Sequence, residues 1–535
     1  MTAARPAGRP TVTPDDLRHL DIRVLDPQTA VRGPDGLIPQ ATAYLGDRVL
    51  VSAPDPDAAG RIVDAVQRLA GEVGSRMVGP HPLQESDDPR HNARVRSRRQ
   101  QGEAGHPVVF DIPIGRERTV AVGPPVDVWD LVQRARASQD RLVAQGVGLD
   151  HLMISAPAVG GDPFVAGLPF VAGLPFVAGL PFVAGLPFVA GLSGGVNSYA
   201  VPGTGGRTPV SMVLQAPDVA PGTKGPRVVV LDTGIGQHPW FTERTERTTQ
   251  TSAGVIIGMD VTDPAVIASD PEAAGGTPDP LTGAMPSHAG HGTFIAGLLR
   301  QACPPATITG LRVMNADGVV PEHVLAESLS ALLAKQTEEP GWADALVLSL
   351  GYFSETDDDV VYTSGLAQVL RVLADRGVTV FCAAGNSATD RRNYPAALAV
   401  TPPFADGSLA SVRALNPDGT VALFSNDGDW VTAQAPGANI VSTAPTDLRG
   451  AWQPQVDVSS SAYANRATLA PEWFSGGFAV WSGTSFAAPA LAGRYLASLV
   501  NAGIPADNGA RRGLLSPLLH AHGGDPSTSR KGHRE

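Results

Sequence analysis

Two kinds of hydrophobic periodicity divide this chain. Near the N-terminus, RVLVSA (48–53) reads as a strand. After it, Ile62, Val63, Val66, Leu69, Ala70 and Val73 fall on one face of a helix. HPVVFDIP (106–113) and RTVAVG (118–123) read as strands, and a helix is expected from about Val126 to Gln145. From about Gly225 the pattern changes. RVVVLD (227–232), TITGLRV (307–313), DALVLSLG (344–351) and VTVFCAAG (378–385) are apolar runs of the kind found in strands buried on both faces. Between them, PEHVLAESLSALLAKQ (321–336) places Val324, Leu325, Leu329, Leu332 and Leu333 at helical spacing, and LAQVLRVLADRG (366–377) reads as a helix ending in Gly. Strands alternating with helices predict a parallel sheet covered on both faces. Active sites in such sheets lie at the carboxyl ends of the strands.

The two regions are joined by an unusual segment. Residues 163 to 192 are one hexapeptide, PFVAGL, written five times. No charge occurs from 163 to 206, a stretch longer than a bilayer span. Proline at every sixth position argues against a membrane helix, because each one removes a backbone bond. A hexapeptide β-helix would be a thin stack in which Pro fits poorly. Identical copies point to duplication of a short DNA unit, tolerated as an extended linker. SGGVNSYAVPGTGGRTP (193–209) continues as loop or linker.

At 535 residues the chain exceeds one ordinary domain, and 43% hydrophobic residues suffice for a large core. The reading is a small α/β module over 1–150, repeat and linker over 151–222, an α/β domain over 223–503 and a disordered tail over 504–535. The formal charge of −12 argues against nucleic-acid binding. The basic run RHNARVRSRRQ (90–100) reads as a solvated loop. Two cysteines, Cys303 and Cys382, support neither a disulfide framework nor a cysteine zinc site. The first residues contain no apolar stretch of signal-peptide length, so a cytoplasmic location is expected.

Three segments carry chemistry. Asp232 stands where the run VVVLD ends, and a carboxylate there needs a hydrogen bond or a partner. His291, in SHAGHGTFIAGLL, has Gly on both sides and opens a helix; His288 ranks below it. Ser485, in WSGTSFAAPALAGRYLASLV, opens another helix, where free N–H groups and the positive dipole end favour a nucleophile. Each has a bland reading, as an acidic loop residue, a structural His or a Ser cap. Together and in this order, DTG (232–234), GHGT (290–293) and GTSFAAP (483–489), with AAGN (383–386), resemble the subtilisin-like serine proteases. The resemblance covers about residues 225–503.

That resemblance implies a three-layer α/β fold with a parallel central sheet and serine endopeptidase activity. It implies that Ser485 attacks the peptide carbonyl, His291 takes and returns the proton, and Asp232 orients the imidazole. Asn386 would donate to the oxyanion. Ser349, Leu350 and Gly351 resemble the family strand beside which an extended substrate lies. The N-terminal module would correspond in position to an inhibitory prodomain, and the repeat could occupy the cleft or be cut by the enzyme itself. The substrate would be a polypeptide. No metal, cofactor, nucleic-acid or membrane partner is expected. The alternative is a catalytically silent, peptide-binding scaffold of the same fold; a Glu/Asp-type relative fits less well, since His291 and Asn386 are both in place. A processing enzyme for one partner would share the chemistry. Two inserts, 269–287 and roughly 445–475, should form loops near the cleft, and Phe294 stands where many relatives carry a second His.

Overall fold

A computed structural model describes residues 20–32, 36, 38–116, 127–155, 199, 205–213, 215–252, 256–258, 270, 272, 285–356 and 364–519. The expected strand at 118–123 and the whole PFVAGL repeat lie outside these residues.

The N-terminal unit contains strands β1 (Ile22–Leu25) and β2 (Thr42–Ala53), helix α1 (Pro56–Glu72) and strand β3 (Ser75–Met77). Helix α2 (Pro89–Glu103), strand β4 (Val108–Arg116), helices α3 (Val128–Arg136) and α4 (Arg141–Gly146) and strand β5 (Val147–Ser155) complete it. Helix α1 starts where the Asp55 carboxylate accepts from Ala58 N at 2.7 Å with Pro56 at the first helical position. It buries Ile62, Val63, Val66 and Ala70 against β2, β4 and β5. The helix expected over 126–145 is split. Ser138 and Asp140 bond the local backbone instead of continuing the helix, and Asp140 caps α4 by accepting from Leu142 N.

The second unit is built on seven parallel strands: β6 (Arg227–Asp232), β7 (Thr245–Glu246), β8 (Thr307–Arg312), β10 (Ala345–Leu348), β12 (Thr379–Ala383), β13 (Leu409–Leu415) and β14 (Ala433–Pro436). Their order is β14-β13-β12-β10-β6-β8-β7. Alternate residues point to opposite faces. Val228, Val230, Ala345, Val347 and Phe381 pack against α5 (His291–Ala302) and α8 (Thr484–Asn501). Val229, Leu231, Leu346, Leu348 and Val380 pack against α6 (Glu322–Glu338) and α7 (Ser364–Asp375). This is the expected three-layer arrangement, and it explains why these strands read as unbroken apolar runs. The segment read as the start of a disordered tail carries a helix instead, α9 (Asn508–Leu515). Arg511 pairs with Asp344 at 2.7 Å and Asn508 donates to Asp375 O, which docks α9 at the end of the sheet.

The two units share a core. One face of the N-terminal sheet is covered by its own helices; from the other, Leu50, Val109 and Met153 join the cluster of α6 and α7. The basic run at 90–100 is not a loop. It forms most of α2, because Arg98 is buried, lies 4.5 Å from the Phe110 ring centroid, and pairs with Glu327 of α6 at 2.8 Å. Among the described residues, no helix is long and apolar enough to cross a membrane.

Candidate active site

Asp232 is the last residue of β6 and is 1% exposed. Its Oδ1 accepts from Thr233 N at 2.8 Å and from His291 Nδ1–H at 2.8 Å. That bond fixes Nε2 as the basic nitrogen of His291. His291 is the first residue of α5. The chain enters the helix through Gly290, whose φ of +83° is left-handed. Gly292 must stay small, since a Cβ there would lie 2.1 Å from Gly234 O. These two glycines let α5 approach the end of β6 closely enough for the Asp–His bond.

Ser485 is the second residue of α8, and the His291 ring lies 5.2 Å from that of Phe486 and 5.6 Å from that of Trp481. Pro489 lacks an N–H, so the Ser485 carbonyl loses its helical donor four residues on. Ser349 Oγ supplies one at 2.9 Å. Ser349, expected from the sequence to bind substrate, thus holds the backbone of Ser485. Asn386 follows β12. Its Oδ1 accepts from Thr484 N at 2.9 Å and Thr484 Oγ1 at 2.8 Å, which fixes the amide orientation. The Ser485 hydroxyl is buried and has no hydrogen-bond partner among the described residues.

The backbone edge at Leu350 and Gly351 is paired by the chain itself. Strand β5 runs antiparallel between β9 (Val319–Pro321) and β11 (Leu350–Phe353). Leu152 faces Pro321, Met153 faces Val320, Ile154 faces Val319 and Gly351, and Ser155 faces Leu350. Ser155 N donates to Gly318 O at 2.6 Å. The Ser155 hydroxyl lies 3.4 Å from His291 Nε2. The sequence reading placed no strand at 147–155, because Asp150 and His151 interrupt its apolar alternation.

Those two residues are buried for a reason. His151 Nδ1 lies 2.6 Å from Glu322 Oε2, and Nε2 lies 2.8 Å from Glu355 Oε2; Arg136 pairs with the other oxygen of Glu355. His323 Nδ1 meets Asp150 at 2.5 Å. Burial acts to lower both imidazole values, but the carboxylates win. His151 is raised well above 6.5 by Glu355 and Glu322, and His323 to about 9 by Asp150 and Asp111. Burial acts to raise Glu355, and Arg136 with His151 overrides it downward.

A further buried carboxyl, Glu272, lies under the Asp–His pair. It accepts from Thr293 Oγ1 at 2.5 Å and from Gly292 N at 3.3 Å, and bonds Thr233 Oγ1. Burial, with Asp270 and Asp232 nearby, pushes it up to about 8 against the bonds from Thr233 and Thr293. It belongs to the insert read as a cleft loop, and nothing in SDPEAAGG distinguishes it from a solvated acid. Cys382 is inert: burial alone pushes its thiol up. Among the described residues no group of three or more His, Cys, Asp or Glu side chains is placed to hold a metal ion.

Comparison with known proteins gives a consistent result. The model of the subtilase family matches residues 223–506. The intracellular serine protease of Paenibacillus polymyxa is 28% identical over 328 residues, 58% of this chain and 76% of that one. Thermitase of Thermoactinomyces vulgaris is 28% identical over 237 residues, 44% of this chain and 71% of that one. Subtilisin-like protease 5 of Arthroderma otae is 25% identical over 248 residues, and the chain spans only 51% of its length.

Proposed function

This chain belongs to the subtilase family of serine endopeptidases, and from that premise we propose that Asp232, His291 and Ser485 form its triad and that its N-terminal unit holds it latent. Ser485 Oγ attacks the substrate carbonyl while His291 Nε2 takes its proton. The oxyanion accepts from the Asn386 amide and Ser485 N–H. Collapse breaks the C–N bond, His291 protonates the leaving amine, and water hydrolyses the acyl-enzyme by the same steps. The observation that carries this reading is the 2.8 Å bond joining Asp232 at the end of β6 to His291 at the start of α5.

Latency is supported by β5. Its residues occupy the groove between β9 and β11, and the Ser155 hydroxyl takes the place at Nε2 that belongs to Ser485. A cut between Ser155 and β6 would free that strand to leave. The segment between them contains the PFVAGL copies, whose Phe, Val and Leu suit an extended-strand cleft. The partnerless Ser485 hydroxyl would also suit a silent scaffold, and experiment separates the two. A fluorophosphonate probe should label the protein once the N-terminal unit is removed or displaced, and never label Ser485→Ala. No labelling in either state would establish the scaffold. Intact mass after prolonged incubation addresses self-processing: identical full-length masses for wild type and Ser485→Ala would eliminate it.

A further inference from the structure

We propose that Glu272 is a positioning residue for the Asp232–His291 pair, and that its proton decides whether the Thr233 hydroxyl donates to Asp232. The inference rests on the peptidase reading of the site.

The geometry is a clasp. Asp232 and Thr233 end β6; Gly292 and Thr293 lie in the first turn of α5. Glu272 belongs to neither element, yet it touches both. One carboxyl oxygen meets Thr233 Oγ1 and Gly292 N, and the other meets Thr293 Oγ1. Thr293 Oγ1 in turn accepts from Gly236 N at 2.7 Å, and Thr233 Oγ1 accepts from Gly292 N at 2.8 Å. The threonines of the DTG and GHGT motifs therefore close on one carboxyl, 1% exposed, which ties the turn bearing Asp232 to the helix bearing His291.

Thr233 has one hydroxyl hydrogen and two acidic neighbours. Asp232 Oδ1 is 3.2 Å away and Glu272 Oε1 is closer. A protonated Glu272 has its own O–H to donate to a threonine oxygen, which leaves the Thr233 hydrogen for Asp232. An ionised Glu272 accepts that hydrogen instead, and Asp232 keeps only Thr233 N and His291 Nδ1–H. The charged groups around Glu272 are Asp232 on β6, Asp270 on its own segment, and, at longer range, Arg207, Arg247 and Arg312. No cation forms an ion pair with it among the described residues. Burial, with Asp270 and Asp232 nearby and no ion-paired cation among the described residues, pushes the carboxyl up to about 8, so the exchange falls within the working range of an enzyme.

The test uses the full chain with Ser485→Ala, so that it does not depend on turnover. The low-field proton resonance of His291 Nδ1–H is followed by NMR while pH rises through about 8. With Glu272 present the resonance should shift with a midpoint near that value. Glu272→Gln keeps an acceptor and a donor but cannot ionise, so the resonance should stay where the acid form has it. Glu272→Ala should broaden or lose it through solvent exchange, and Gln should restore it. The same position and the same pH response in all three would overturn the proposal. A drop in melting temperature with an unmoved resonance would also overturn it, leaving a purely structural role. In active protein, Glu272→Ala should lower kcat by roughly 10²-fold with KM nearly unchanged, the size expected from a misplaced base; a KM change alone would count against it. Absence of hydrolysis by the protein after its N-terminal unit is removed or displaced would defeat the peptidase reading, while the resonance still decides the role of Glu272.

Discussion

At the residue scale, the site is held by side chains that satisfy one another's backbone. Asn386 is oriented by Thr484 through two bonds to its Oδ1, which fixes which end of its amide faces Thr484. Asn386→Ala should lower kcat by about 10²–10³ with little change in KM, the loss seen when a subtilisin is deprived of such a donor. A steady-state comparison on one peptide checks it, and an unchanged kcat would remove Asn386 from the oxyanion site. Ser349 and Pro489 make a second pair. Ser349→Ala leaves the buried Ser485 carbonyl without its donor, at a cost of about 1–3 kcal/mol. With Pro489→Ala the helix can supply an N–H, so the same Ser349 change should cost less by about 1 kcal/mol. A double-mutant cycle in denaturant reads the coupling directly; equal costs in both backgrounds would show that the carbonyl finds another donor.

At the scale of elements, two approaches set the chemistry. The first brings α5 onto the end of β6. Gly292→Ala would push a Cβ into Gly234 O, and one of the two segments must give way. The expected outcome is a folded protein with kcat reduced by roughly 10²-fold, since a displacement of about 1 Å is enough. Circular dichroism and kcat together check this. The second brings β5 to the start of α6. That helix follows Pro321, which offers no side-chain cap, and Asp150 of the N-terminal unit accepts from His323 N at 3.0 Å instead. Glu322 in its first turn suits the positive helix end and at the same time holds His151. One helix terminus of the peptidase unit is therefore completed by a strand of its N-terminal neighbour.

At the scale of the molecule, the seam between the units is a set of buried ion pairs laid over an apolar contact. Breaking one such pair leaves an uncompensated charge, at a cost of about 3–5 kcal/mol. Arg136→Ala leaves Glu355 with His151 as its one remaining cationic partner among the described residues and should shift the balance toward the released form by roughly 10²-fold, less than a fully stranded charge would. Faster fluorophosphonate labelling of the full chain at neutral pH is the expected readout. The seam also responds to pH. His151 and His323 hold protons more tightly when docked than a free imidazole does. Both contributions are complete below the ordinary value of 6.5, and that of His323 is lost as pH rises through about 9. Labelling of the uncut chain should therefore increase as pH passes about 9. A flat response, with Ser485 otherwise reactive, would mean that the apolar contact alone holds the units together.

Much of this was determined by the sequence on its own. Apolar runs alternating with helical spacing specified a parallel three-layer sheet, because burial on both faces leaves no other pattern. The residues at the ends of those runs specified the triad candidates, because β6, α5 and α8 each carry their functional group in a short motif. Other features depend on tertiary contact. Asp150 and His151 look like breaks in a strand until Glu322, Glu355 and His323 arrive to pair with them. Arg98 looks solvated until Glu327 meets it. Glu272 is one acid in a polar insert, and only the close approach of Thr233 and Thr293 turns it into a buried, neutral clasp. Local patterns record which face of an element is buried; the partner of a buried charge comes from a distant part of the chain, and only folding brings the two together.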